Sequence, residues 1–153
     1  MDRSESAVEI FRQNLNCAQA VFSVFAEDGG VEQEKALRIA SCFGGGMRCG
    51  EACGAVTGAL MAIGLQYGYS SVEDPKDKLR SNALALDFEE KFREMNQSII
   101  CRELLGYDLS KPEDMAKLGE LGLFDTLCPK FVADATGIAE QLLEKQKKQG
   151  RLL

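Results

Sequence analysis

The sequence predicts a single all-α domain, a helix bundle of about five to seven helices over residues 1–153. Three observations lead to this prediction. Apolar residues recur at alternating spacings of three and four along most of the chain, helix-start signals precede these stretches, and no segment alternates convincingly like a strand. A length of 153 residues with 45% hydrophobic and 27% charged content is ordinary for one soluble domain with one core.

The first predicted element is one long amphipathic helix that ends at Gly29-Gly30. Ser6 and Glu9 form a capping box at its start. The apolar residues that follow keep the helical spacing and form its buried stripe: Val8, Phe11, Leu15, Ala18, Phe22 and Phe25. Cys17 lies beside this stripe on the buried flank, where the pattern alone favours a small apolar filler.

Two further helices are predicted before residue 70. One runs from about residue 32 to 43 and stops at the three glycines 44–46. The next runs from about 50 to 67, within a stretch that carries no charge from Ala52 to Val72. Only Ala52 to Leu65 is consistently apolar, which is too short for a bilayer that needs about 20 residues. We therefore predict a buried central helix and no membrane span.

Helix-start signals predict four more helices. The four start signals are Asp74-Pro75, Ser98 before Cys101, the capping box of Ser110 with Glu113, and Cys128-Pro129. The helix that begins at Pro75 carries Leu79, Ala83 and Leu86, then two phenylalanines, and fades near residues 96–97. The last helix carries apolar residues at regular spacing and completes the predicted bundle.

Charge and composition exclude several classes of protein. A net charge of −6 argues against a nucleic-acid binder, which needs clustered Lys and Arg on the phosphates. The chain has no histidine, which excludes Ser-His-Asp and Cys-His catalysis, His-ligated zinc and His-ligated haem. The first residues are charged and polar rather than a secretory leader. We expect a cytoplasmic protein whose six cysteines stay reduced.

Three of the six cysteines fall at predicted helix starts: Cys53, Cys101 and Cys128. Unpaired N–H groups and partial positive charge at a helix N-terminus favour the thiolate, and can lower a cysteine pKa to roughly 3.5–7.5. The thiolate is both the nucleophile and the metal ligand. The alternative is that each cysteine is a small apolar filler, because free cysteine is often buried.

Gly54 and Gly58 follow Cys53 on one helix face and have two interpretations. Without side chains, they let a neighbouring backbone approach closely. They could equally leave room beside Cys53 for a second sulfur, a cluster or a small ligand, which makes them candidate cofactor-binding residues. Cys42, Cys49 and Cys53 have no recognised ferredoxin or zinc-ribbon spacing.

Several sequence pieces together resemble the redox-active protein family named for its C_GCAxxG_C_C cysteine pattern. The pieces are Asn16-Cys17-Ala18-Gln19-Ala20-Val21, Phe43-Gly44-Gly45-Gly46-Met47, Cys53-Gly54-Ala55-Val56-Thr57-Gly58, Cys101-Arg102-Glu103-Leu104-Leu105-Gly106-Tyr107-Asp108 and Cys128-Pro129-Lys130-Phe131-Val132. The resemblance carries the four family cysteines onto Cys17, Cys53, Cys101 and Cys128. The central motif reads Cys-Gly-Ala here, with its first two residues inverted, and Cys42 and Cys49 are additional.

The resemblance implies that folding gathers these four cysteines into one pocket. The first hypothesis is redox chemistry, in which two thiols cycle between dithiol and disulfide with Cys53 as the nucleophile. The second is a metal or iron–sulfur protein with all four thiolates on zinc or a cluster, since related domains are joined to haem domains in some cytochromes. The third is a structural bundle with packed cysteines. The sequence identifies neither an electron partner nor a small-molecule substrate, and leaves open both an oxidoreductase activity and a homodimer.

Overall fold

The computed structural model describes residues 1–152, and within them the chain forms nine α-helices and no strand. The helices are α1 (Arg3–Arg12), α2 (Cys17–Ala26), α3 (Gln33–Ala40), α4 (Gly54–Tyr67), α5 (Pro75–Asn96), α6 (Cys101–Leu105), α7 (Pro112–Leu121), α8 (Leu123–Thr126) and α9 (Cys128–Leu152). The all-α prediction is confirmed. The helices exceed the predicted five to seven because the first predicted helix is divided and α8 is an additional short helix.

The prediction of one unbroken helix up to Gly29-Gly30 is wrong, because the chain turns between α1 and α2. Asn14 adopts a left-handed backbone with φ 70°, which stops α1. Asn16 then caps α2: its side chain accepts from the Gln19 N–H at 2.9 Å, and the Gln19 side chain accepts from the Asn16 N–H at 3.0 Å. This capping box makes Cys17 the first residue of a helix rather than a mid-helix residue.

The start of α1 also differs from the prediction. Asp2, not Ser6, is the N-cap, and its carboxylate accepts the Glu5 N–H at 2.8 Å. The Glu5 side chain in turn accepts the Asp2 N–H at 2.9 Å. A separate capping box therefore starts each of α1 and α2. The apolar spacing does not show this division, because it continues through both helices.

The uncharged segment forms the buried helix α4, as predicted, although this helix begins at Gly54 rather than near residue 50. Its small residues let α2 pack closely against it. A Cβ placed on Gly58 would lie 2.7 Å from the backbone oxygen of Ala18 in α2. The part of the chain that the structure describes contains no helix long and apolar enough to cross a membrane.

The longer helix α5 begins at Pro75 as predicted, with the Asp74 carboxylate accepting the Lys76 N–H at 2.9 Å. Its buried face consists of Leu84, Phe88 and Phe92. Leu79 and Leu86 are exposed, so the apolar residues of this helix occupy two faces rather than one.

The predicted capping box of Ser110 with Glu113 is replaced by a turn. The Ser110 hydroxyl donates to the Asp108 carboxylate at 2.6 Å, and Lys111 is the residue that precedes α7. The helix still begins at Pro112, because proline is well suited to the first helical position.

Candidate functional site

Four cysteines surround one cavity of about 670 Å³. Cys17 is the first residue of α2, Cys53 is the N-cap of α4, Cys101 is the first residue of α6 and Cys128 is the first residue of α9. The structure therefore brings together the four residues that the sequence singled out. Each of them stands at a helix N-terminus, although only three were expected to do so.

A short backbone pairing brings Cys53 and Cys101 to the cavity together. The Cys53 N–H donates to the Ile99 carbonyl at 2.7 Å, and the Cys101 N–H donates to the Glu51 carbonyl at 2.6 Å. Ala52 and Ile100 form an isolated antiparallel bridge between these two bonds. The bridge fixes the start of α4 against the start of α6 and thereby sets the positions of both thiols.

Close packing of α2 on α4 brings Cys17 to the same place. A Cβ on Gly54 would lie 3.1 Å from the Cys17 Cβ, and one on Gly58 would meet the Ala18 carbonyl. Both glycines therefore allow α2 to pack closely on α4. Gly54 also lines the cavity, whereas Gly58 does not.

The two additional cysteines lie apart from the cavity. Cys42 and Cys49 are exposed, and neither lines the cavity wall. The Cys49 thiol donates to the Gly46 carbonyl at 3.3 Å, and the Cys42 sulfur lies 3.9 Å from the Ser41 hydroxyl. Their surroundings are those of surface thiols.

A left-handed turn forms one edge of the cavity. Gly45, Gly46, Met47 and Arg48 have successive φ angles of 63°, 63°, 61° and 62°. The left-handed conformation costs roughly 1–2 kcal/mol for each residue with a side chain, so Met47 and Arg48 are strained. The rest of this loop must compensate for that strain.

Several contacts hold this turn against Cys101. The Glu51 N–H donates to the Gly46 carbonyl at 3.0 Å, and a Cβ on Gly46 would lie 2.8 Å from the Cys101 Cβ. Arg102 forms an ion pair of 2.7 Å with Glu51 and donates to the Gly50 carbonyl at 3.1 Å. The turn is therefore attached to α6 at both of its ends, and Arg48 is held at the edge of the cavity.

Cys17 and Cys128 form an unequal thiol pair. A hydrogen bond between their side chains is the largest cause of both shifts: it raises the pKa of Cys17 well above its ordinary value and lowers the pKa of Cys128. Burial and the neighbouring thiols raise the pKa of Cys17 further. Cys17 is therefore the donor of the pair, and Cys128 is the thiol of the two that ionises more readily. Both residues line the cavity; Cys128 is buried, whereas Cys17 is partly exposed.

Cys53 and Cys101 differ from Cys128, because their pKa values are raised rather than lowered. Burial raises the pKa of Cys53 to about 11, despite the backbone amides of Ala55 and Val56 that lower it. Burial likewise raises the pKa of Cys101 to about 12, and Arg48 opposes this only in part. The expected depressed pKa at Cys53 is therefore wrong in direction, because desolvation of the thiolate outweighs the helix N-terminus.

The cavity wall also contains residues that were not predicted to lie at the site. Two are cations, Arg12 at the end of α1 and Arg48 in the left-handed turn. The apolar part of the wall includes Phe11, Leu15, Leu104, Met115, Phe124 and Phe131. Arg48 directly precedes Cys49 in the sequence, but nothing local indicated that its charge would act on Cys101.

The residues as placed do not fit a resident metal ion. Between residues 1 and 152, no group of three or more cysteine, aspartate or glutamate side chains is arranged to hold one. The four thiols nevertheless line one cavity. The alternative with a zinc ion therefore gains no support from this arrangement, and the iron–sulfur cluster stays a hypothesis.

Comparison with known proteins identifies the family alone. No curated protein and no solved structure matches the chain significantly. The family model described as "Putative redox-active protein (C_GCAxxG_C_C)" matches residues 15–142, a range that contains all four cavity cysteines. The chain therefore belongs to the C_GCAxxG_C_C family.

Proposed function

We propose that this protein is a thiol–disulfide redox protein in which Cys128 and Cys17 are the reacting pair. The observation that carries the proposal is the position of all four cysteines around one cavity, with these two hydrogen-bonded to each other. Two thiols that interact directly lie close together, and the lowered pKa of Cys128 favours its thiolate over those of the other cavity cysteines. Proximity and a readily ionised sulfur favour thiol–disulfide exchange.

Each thiol of the pair has its own role. The Cys128 thiolate attacks one sulfur of a disulfide substrate, because the thiolate is the nucleophilic form. Cys17 then attacks the mixed disulfide at the Cys128 sulfur, after its proton has passed to the departing thiolate. The chain has no histidine to act as a base, so the proton held by Cys17 is the one available inside the pair.

Cys53 and Cys101 have a supporting role in this proposal. Both are buried with raised pKa values, so both remain protonated at neutral pH. They complete the wall of the site and react only after the first pair. The protein works in the cytoplasm in this proposal, where reduced thiols persist and a disulfide substrate would be reduced.

Thiol counting and absorbance spectroscopy on anaerobically purified protein test the proposal. We expect a colourless, metal-free protein with six free thiols, of which two disappear on mild oxidation and return with dithiothreitol. The matched variants are Cys42→Ser/Cys49→Ser, which retains the loss of two thiols, and Cys17→Ser, which abolishes it.

Two results would contradict the proposal, each in favour of a different alternative. Charge-transfer bands together with bound iron or zinc would support the metal hypothesis. Thiols that react with alkylating reagents only after unfolding, without bound metal, would support a structural bundle with packed cysteines.

A further inference from the structure

The edge of the cavity carries positive charge that the protein itself does not neutralise. Arg12 and Arg48 both line the cavity, both are exposed, and neither forms an ion pair or a side-chain hydrogen bond among the residues whose contacts the structure describes. One carboxylate, that of Asp125, lines the same cavity. The arginines outnumber it, although the whole chain has a net charge of −6.

The position of Arg48 is maintained against backbone strain. It belongs to the left-handed turn, and its guanidinium lies back over Gly45, where a Cβ would be 2.9 Å from Nη1. A larger residue at position 45 would displace that side chain. Strained non-glycine residues are concentrated at sites that bind ligands, because the surroundings must stabilise them.

The remaining wall is apolar and the cavity has the size of a small organic molecule. Phe11, Phe124 and Phe131 supply aromatic surface, and the volume of about 670 Å³ lies within the range of ligand pockets. Thiols, exposed cations and apolar side chains therefore line the same cavity. A ligand that suits these three kinds of group is an apolar disulfide with a carboxylate.

We propose that the cavity binds small disulfides that carry a carboxylate on an aromatic or aliphatic body, with Arg48 and Arg12 binding the carboxylate. This inference rests on the proposed function and adds the substrate class. Arg48 and Arg12 are binding residues in this scheme, since they contact the substrate and not the reacting sulfurs.

The reaction is balanced in atoms and electrons. The Cys128 thiolate attacks the substrate R–S–S–R, which forms Cys128–S–S–R and releases RS⁻. The Cys17 thiol then loses its proton, to RS⁻ where that thiolate is basic and to water where it is a weakly basic aromatic thiolate. The Cys17 thiolate then attacks the Cys128 sulfur and releases the second R–S⁻, which takes a proton from water. The protein dithiol loses two electrons to become a disulfide, and the substrate gains them as two thiols.

Two aromatic disulfides of similar size test the charge preference. The acidic probe is 5,5′-dithiobis(2-nitrobenzoate), and the uncharged probe is 4,4′-dithiodipyridine. All measurements use full-length protein with Cys42→Ser and Cys49→Ser, which removes the two exposed thiols outside the cavity. The second-order rate of release of the coloured thiol is measured for each probe, and circular dichroism checks the fold of every variant.

We expect Arg48→Gln to slow the reaction of the acidic probe about tenfold, because a hydrogen bond to a charged group is lost. Arg12→Gln should slow it in the same direction, and this variant lies outside the strained turn. Neither variant should change the rate of the uncharged probe more than about twofold. The control Arg38→Gln removes an exposed arginine that does not line the cavity and should change neither rate.

Each contrary outcome has a separate meaning. An equal slowing of both probes by Arg48→Gln and by Arg12→Gln would overturn the inference, because the arginines would then act on the thiols. An acidic probe unaffected by either substitution would overturn it as well. If the protein reduces neither probe, the proposed function fails rather than the substrate class.

Discussion

At the scale of single residues, the chemistry of the site depends on how one proton is divided between two sulfur atoms. Cys17 donates and Cys128 accepts, so the pKa of Cys128 is lowered while that of Cys17 is raised. Cys53 and Cys101 lie in the same wall, yet burial keeps them protonated. The four cysteines are chemically the same residue, but their neighbours lower the pKa of Cys128 and raise the pKa of the other three.

The hydrogen bond from Cys17 is testable by substitution. Cys17→Ala removes the donor, so the pKa of Cys128 should rise, because burial and Asp125 both raise it, and its alkylation rate at pH 7 should fall about tenfold. Cys17→Ser keeps a donor and should retain most of the rate. The measurement is the rate of iodoacetamide labelling of Cys128 against pH, followed by mass spectrometry. Identical pH profiles for both variants would show that the donor has no effect.

The raised pKa of Cys53 makes stability depend on pH. The unfolded thiol ionises above its ordinary pKa of 9.0, whereas the folded thiol stays neutral until about 11. Its contribution is therefore complete below pH 9 and is lost as pH rises through the folded pKa. Between pH 8 and pH 10 the free energy of unfolding should fall by about 1 kcal/mol more in the wild type than in Cys53→Ala.

Urea denaturation under reducing conditions measures this difference. Cys42→Ala is the matched control, since that thiol is exposed, and it should show the same decrease as the wild type. An equal pH dependence in Cys53→Ala and the wild type would mean that this buried thiol does not control the alkaline stability.

At the scale of helices, the packing of α2 on α4 determines where Cys17 lies. Gly58→Ala should destabilise the protein by about 1–3 kcal/mol, because the added Cβ would lie 2.7 Å from the Ala18 carbonyl. Gly64 lies in the same helix with nothing within 4 Å of an added Cβ. Gly64→Ala should therefore stabilise the protein by up to about 1 kcal/mol through helix propensity.

Chemical denaturation of the two alanine variants checks this pair. Gly58→Ala should also decrease the formation of the Cys17–Cys128 disulfide, since it moves the start of α2. If Gly58→Ala and Gly64→Ala changed the free energy of unfolding in the same direction, the close packing of α2 on α4 at Gly58 would not be important for stability.

Local sequence signals predicted a helix correctly where the residues that carry the signal are also the residues that form the helix end. Asp74-Pro75 predicted the start of α5 for this reason. The division of α1 from α2 was missed because the apolar spacing continues across it, although Asn16 with Gln19 was a readable capping box. The left-handed turn could not be predicted, because contacts with the distant residues Cys101 and Arg102 stabilise it.

At the scale of the whole molecule, the Cys17–Cys128 disulfide would link the start of α2 to the start of α9 across most of the chain. Closing so long a loop restricts the unfolded state, so the oxidised protein should be about 2–4 kcal/mol more stable than the reduced protein. Thermal denaturation of the Cys42→Ser/Cys49→Ser variant with and without dithiothreitol measures the difference. An oxidised form that is equally stable or less stable would indicate a strained or different pairing.

The convergence of four cysteines was an expectation that rested on the resemblance, because residues so far apart in sequence have no local signal in common. The arginines and aromatic residues around them were not predicted, since each becomes part of the site only through the packing of separate helices. The sequence alone therefore indicated the thiols of the site, and the structure supplied their environment.

Peptide mapping by mass spectrometry after one equivalent of oxidant tests the central claim most directly. The account predicts one disulfide between the peptides that contain Cys17 and Cys128, with Cys53 and Cys101 still reduced. A first disulfide that joins Cys42 to Cys49, or that leaves both Cys17 and Cys128 reduced, would contradict it.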